Sequence, residues 1–183
     1  ETVHTSHPVR CFCEDEDGNI LIGTKGSGIK LLNPATKELT DYLNESKGLI
    51  SNSVYALRRN KANDIFIGTE GNGINILNVA TGRLEKLEIP DKYPPFKAVY
   101  NIYFTNNDSL LWVGTSGYGL IKINISREQG RYHVKGFRQY NSSDKNISLN
   151  NDVVYAITSD PEDNMLWFGT RGGGLNCINM KDN

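Results

Sequence analysis

Cysteine is scarce in this chain, and several other signals are missing with it. Cys11, Cys13 and Cys177 are the three cysteines of 183 residues, too few and odd in number for a disulfide framework. Neither sign of charge is in excess, with 20 Lys and Arg against 21 Asp and Glu. That balance offers no basic field for nucleic acid and no polybasic membrane patch. No apolar run approaches the roughly 20 residues that cross a bilayer. No charged start followed by an apolar stretch marks a secretory leader. The sequence is thus read as cytosolic, or as a mature or excised piece. No segment has helical apolar spacing.

What the chain does have is a repeat. Ile22-Gly23-Thr24-Lys25-Gly26-Ser27-Gly28-Ile29 returns from Ile67, Val113 and Phe168. The first glycines are Gly23, Gly68, Gly114 and Gly169, spaced 45, 46 and 55 residues apart. Further glycines follow at +3 and +5, Ile or Leu at +6, and Asn at +10 (Asn33, Asn78, Asn124, Asn179). Upstream, Val9-Arg10-Cys11-Phe12 matches Val54-Tyr55-Ala56-Leu57, Val99-Tyr100-Asn101-Ile102 and Val154-Tyr155-Ala156-Ile157. These segments have strand composition, and their apolar residues suit burial on both faces.

Turn residues such as Asp17-Gly18-Asn19 and Asn106-Asn107-Asp108-Ser109 close each first strand. Second strands are expected at Ile20 to Gly23, Ile65 to Gly68, Leu110 to Gly114 and Met165 to Gly169. Third strands follow at Ile29 to Leu32, Ile74 to Leu77, Leu120 to Ile123 and Leu175 to Ile178. Fourth strands are expected at Glu38 to Leu43, Arg83 to Ile89 and Tyr132 to Tyr140. Four antiparallel strands per period make a β-meander that cannot bury both faces alone, so neighbouring copies must stack. The reading is all-β: β-propeller blades, about three and a half to four, in one segment spanning 1–183. Blade 1 covers about 8–48, blade 2 about 49–97, blade 3 about 98–147 and a partial blade 4 about 148–183. Either residues 1–6 supply the strand that blade 4 lacks and close a four-bladed ring, or the chain is a fragment of a larger propeller. The short His7-Pro8 link favours the fragment. A fragment would expose two apolar blade faces and is expected to form a homo-oligomer.

The unit Val-Tyr-x-Ile, turn, Leu-Trp-Val/Phe-Gly-Thr, x-Gly-x-Gly-Leu resembles the two-component regulator propeller repeat. Leu111-Trp112-Val113-Gly114-Thr115 and Leu166-Trp167-Phe168-Gly169-Thr170 match it best, as do the linkers from Leu49 and Leu149. Blade 1 is less typical, with Leu21-Ile22 for the Trp-containing pair and Arg10 for Tyr. The resemblance implies the extracytoplasmic, periplasmic sensor region of a hybrid two-component histidine kinase. It implies an oligosaccharide or other polar ligand, and further blades of a parent propeller as partners. Nucleic acid is not expected as a partner, nor is any cofactor. A protein-interaction scaffold and a polysaccharide-processing enzyme are the alternatives.

Within the fixed turn the variable positions are Lys25 and Ser27, Glu70 and Asn72, Ser116 and Tyr118, and Arg171 and Gly173. A constant frame with varied polar tips reads as a recognition surface, against solvated loop tips as the plainer reading. Tyr118 can stack on a sugar; Lys25, Glu70 and Arg171 can bond hydroxyls or an acidic group. Asn52, Tyr93, Asn151 and Asp152 join them from the linkers. The Gly-Thr-x-Gly-x-Gly turn is not a phosphate loop, because a strand follows it rather than a helix. Thr24, Thr69, Thr115 and Thr170 are expected to bond the turn backbone. His4, His7, Cys11 and Cys13 lack zinc-site spacing, so no metal is expected; the cysteines, with Cys177, read as core. Trp112 and Trp167 read as interblade core. No catalytic motif is found. His133 lacks a nucleophile partner, and Glu14-Asp15-Glu16-Asp17 reads as a solvated edge.

Overall fold

A computed structural model describes residues 2–71, 73–144, 149–160 and 162–181. Four antiparallel meanders account for nearly all the regular structure. The first sheet has the order β1 (Val9–Glu14), β2 (Ile20–Thr24), β3 (Ile29–Leu32), β4 (Leu39–Leu43). The second runs β5 (Val54–Arg59), β6 (Ile65–Thr69), β7 (Ile74–Asn78), β8 (Arg83–Lys86). The third runs β9 (Val99–Thr105), β10 (Leu110–Thr115), β11 (Leu120–Glu128), β12 (Arg131–Tyr140). The fourth has three strands, β13 (Val154–Asp160), β14 (Met165–Thr170) and β15 (Gly174–Asn179). These are the meanders of propeller blades.

Some expectations need adjustment. Thr2–Ser6 form no strand, and the fourth sheet holds three strands among the described residues. Strand β8 stops at Lys86 instead of Ile89. Leu87 turns inward to full burial while its N–H still reaches the Ile74 carbonyl at 2.8 Å. Pro90, with no N–H, cannot extend the ladder. One turn of 3-10 helix, Glu45–Lys47, interrupts the linker after β4; Asn44 caps it by accepting from the Lys47 N–H.

The chain divides into two units, 1–88 and 89–183, each holding two blades. In the first, Leu21 and Ile29 of blade 1 bury against Val54, Leu57, Ile65 and Ile67 of blade 2. In the second, Trp112, Leu120 and Tyr140 of blade 3 bury against Val154, Ile157, Leu166 and Phe168 of blade 4. Each such side chain contributes roughly 1.5–3 kcal/mol of transfer free energy. The first Gly of the repeat is the contact point. A Cβ on Gly23 would lie 2.8 Å from Val54 Cγ1, and one on Gly114 would lie 2.7 Å from the Val154 carbonyl. A Cβ on Gly169 would meet only its own blade's Ala156, at 3.9 Å.

Faces without a described neighbour behave accordingly. Val9 and Phe12 are 46% and 74% exposed, whereas their counterparts Val54 and Leu57 are 0% and 8%. Leu175 is 68% exposed, whereas Ile29, Ile74 and Leu120 are fully buried.

Candidate functional site

The rim is built from the repeat itself. In blade 1, the Thr24 hydroxyl donates to the Gly28 carbonyl at 2.8 Å and accepts from the Ser27 N–H at 3.1 Å. Thr115 does the same with Gly119 and Tyr118, at 2.8 and 3.1 Å. Thr69 accepts from the Gly71 N–H, and Thr170 donates more weakly to the Gly174 carbonyl. The threonines lock the turn, as their spacing implies.

With the turn locked, its two glycines catch the next blade. The Gly26 and Gly28 N–H groups both donate to the Asn52 carbonyl, at 3.0 and 2.8 Å. Gly117 and Gly119 donate to the Asp152 carbonyl, also at 3.0 and 2.8 Å. Gly28 and Gly119 need their φ of +69° and +74°, and a Cβ on either would drive into the carbonyl of Leu43 or Tyr140. One residue on, the Ser53 carbonyl accepts from the Glu70 N–H, and the Val153 carbonyl from the Arg171 N–H. Lys25 bridges Ser53, and Ser116 bridges Val153, from the other side. Each linker is therefore a rung between two turn tips. Lys25 and Glu70 flank the rung in the first unit. Ser116, Tyr118 and Arg171 gather around it in the second.

Residues 5–26, in the first blade, match the family model described as "Two component regulator propeller". The first blade carries a two-component regulator propeller repeat. The matched repeat is the one that looks least typical by its Leu21-Ile22 pair. Over 180 residues the chain is 28% identical to Histidine kinase P4 of Formosa agariphila, covering 95% of this chain and 12% of the relative. It therefore spans about an eighth of that protein. It superimposes on the extracellular domain of the putative hybrid two component system BT3049 from B. thetaiotaomicron with a TM-score of 0.60 at 18% identity. The match covers 100% of this chain and 29% of that one. The β-propeller domain of Myceliophthora thermophila Cps50 (Swd1) matches with a TM-score of 0.66 at 14% identity, covering 100% and 55%. At such identities these structures establish the propeller fold.

The repeat's linker side chains are partly committed to holding the rim. The Asp152 carboxylate accepts from the Ser142 N–H and hydroxyl, at 2.6 and 2.8 Å. Asn151 accepts from the Val153 N–H at 2.9 Å, and Asn52 accepts from the Glu45 N–H at 2.8 Å. Tyr93 stacks on Phe137 with centroids 4.9 Å apart. Lys25, Glu70 and Arg171 are exposed and Tyr118 is half-buried. Asn72 lies outside the described residues.

One repeat feature gains a structural reason that its sequence does not announce. In all four blades the second residue of the first strand (Arg10, Tyr55, Tyr100, Tyr155) is skipped by the ladder as a β-bulge. Bulges re-aim side chains. The Tyr100 and Tyr155 rings stack at 5.3 Å, and the Arg10 guanidinium lies 5.9 Å over Tyr55. The recurring Val-Tyr pair was the available signal.

The sulfur and tryptophan positions divide. Burial pushes the Cys11 thiol up to about 12. Cys13 is raised too, again mainly by burial, so both behave as packed apolar groups. Cys177 is exposed, contrary to the core placement expected of it: its counterpart Leu31 packs against the neighbouring blade and Ile76 is buried, whereas the face of the fourth sheet that bears Cys177 has no described neighbour. Trp112 is fully buried, with its indole N–H donating to Thr105 Oγ1 at 3.0 Å, whereas Trp167 is partly exposed. Among the described residues, no three His, Cys, Asp or Glu side chains converge as metal ligands.

Proposed function

We propose that this chain is part of the extracytoplasmic, ligand-sensing propeller of a hybrid two-component sensor histidine kinase, and that its ligand is an oligosaccharide bound on the turn rim. The observation that carries the reading is the repeated rung. An invariant backbone frame holds Lys25, Glu70, Tyr118 and Arg171 beside linkers that join consecutive blades. A ligand bridging two tips would contact both blades at once, which is how binding biases their packing. The histidine kinase relative and the extracellular-domain neighbours support the assignment.

A thermal-shift screen of neutral and acidic oligosaccharides tests it. A ligand at about 100 times its dissociation constant stabilises the folded chain by about 2.7 kcal/mol. The expected result is a hit that Tyr118→Ala or Arg171→Ala abolishes, without product formation. Hits indifferent to both variants, or turnover of the sugar, would overturn the reading. The faces bearing Phe12 and Leu175 are the docking surfaces for further blades of the parent protein. In their absence they drive self-association of the 183-residue chain. Sedimentation at the mass of one 20.4 kDa chain at micromolar concentration would refute that.

A further inference from the structure

The aligned repeats place Leu31, Ile76 and Cys177 at one third-strand position; blade 3 places Lys122 there. The cross-strand rows read Leu21–Leu31–Thr40 in blade 1 and Phe66–Ile76–Glu85 in blade 2. In blade 3 the row is Trp112–Lys122–Arg138. The fold does not require a cation here, since two complete blades use aliphatic residues. The lysine is also costly. Burial first, and the neighbouring Arg138 second, push its pKa down. The Trp112 ring, 5.5 Å from the ammonium, offsets part of that cost.

Lys122 opens onto a recess of about 580 Å³ between blades 3 and 4, within the usual range for small-ligand sites. Its other polar walls include Asn106, Asn124, Asn164, Thr105 and Lys181, and no carboxylate lines it among the described residues. The recess lies beside Leu110, at the far end of β10 from the turn rim at Thr115, about 17 Å of strand away.

We propose that this recess is a second binding site, for a small anionic saccharide. Lys122 and Lys181 hold its carboxylate or sulfate group, and the Asn106, Asn124 and Asn164 amides bond its hydroxyls. The choice of a saccharide rests on the sensing role proposed above; the requirement for an anion does not.

Calorimetric titration of the 183-residue chain with trigalacturonate, galactose 6-sulfate, galactose and sodium sulfate tests it. The expected result is binding of at least one of the first two, with galactose and sulfate at least about tenfold weaker. Lys122→Gln and Lys181→Gln should each weaken binding about tenfold, the loss of one charge-assisted contact, while Tyr118→Ala leaves it unchanged. Equal binding of galactose, equal binding of sulfate alone, or wild-type affinity in both lysine variants would overturn the proposal. Loss of binding only in Tyr118→Ala would assign the ligand to the turn rim and overturn it equally. An unchanged melting temperature for Lys122→Gln, at a position other blades fill with Leu or Ile, shows that any loss of binding is local.

Discussion

The two units join their blades by the same clasp but fill the space beneath it differently. In the first, Leu21 and Leu31 continue the apolar core outward, and Asn63 Nδ2 donates to Glu16 at 2.8 Å to tie the turns at the far rim. In the second, Trp112 takes the place of Leu21 and Lys122 that of Leu31, and the corresponding end is a polar recess. Its outer hairpin is longer as well. Strands β11 and β12 span 9 and 10 residues, against 4 and 5 for β3 and β4. The difference separates two demands on one repeat. Glycines and threonines repeat because blade joining needs them at every copy. The third-strand centre varies because, once joined, a blade can give that position to another task.

The largest expected effects break what the units share. Gly28→Ala and Gly119→Ala should each cost about 3 kcal/mol, combining left-handed strain with overpacking against a fixed carbonyl. Gly174→Ala has similar φ, +73°, but no atom within 4 Å of the added Cβ, and should cost only about 1 kcal/mol. Urea melts of the three variants read this directly; equal losses would show that strain, and not the clasp, sets the scale. The next test makes the second unit resemble the first. Lys122→Leu should raise stability by about 1 kcal/mol, as apolar burial replaces a partly desolvated charge. A loss of stability would mean that the cation is structural.

The smallest effect concerns two ion pairs with exposed carboxylates, Lys30–Asp41 and Lys135–Glu128. Hydrogen bonds from Lys30 to Asp41, and from Lys135 and then Ser126 to Glu128, hold both carboxyls below their ordinary range. Groups lowered in the folded state stabilise it above their unfolded values, near 4, and lose that contribution as pH falls through the lower native values. Both are fully exposed, so Asp41→Asn and Glu128→Gln should flatten the urea midpoint only slightly between pH 5 and 3. A steep change would place these pairs among the main supports of the hairpins.

Much of this was legible beforehand. The glycine offsets located the turn between each second and third strand, and strand composition located the strands apart from the end of β8, because strand composition and backbone sterics are local. The rim tips followed from the same alignment, since variation inside a fixed frame is visible in four copies. The recess was not legible. The repeat aligns Lys122 with Leu31, Ile76 and Cys177 without singling it out, and its neighbours Asn106, Asn164 and Lys181 come from separate turns and a strand end. Cys177 was misplaced for a related reason, because burial of a third strand depends on the next blade and not on the strand.

The sequence by itself determined the blade: its four-strand period, its locked turn and the glycines that admit a neighbour. Only the tertiary structure decided which faces are covered, that the recurring tyrosine is a bulge, and that a cation in blade 3 borders a cavity. Backbone conformation is set by each residue and its immediate neighbours. Burial and charge environment are set by whatever the chain brings alongside, and that is known only once the blades have packed.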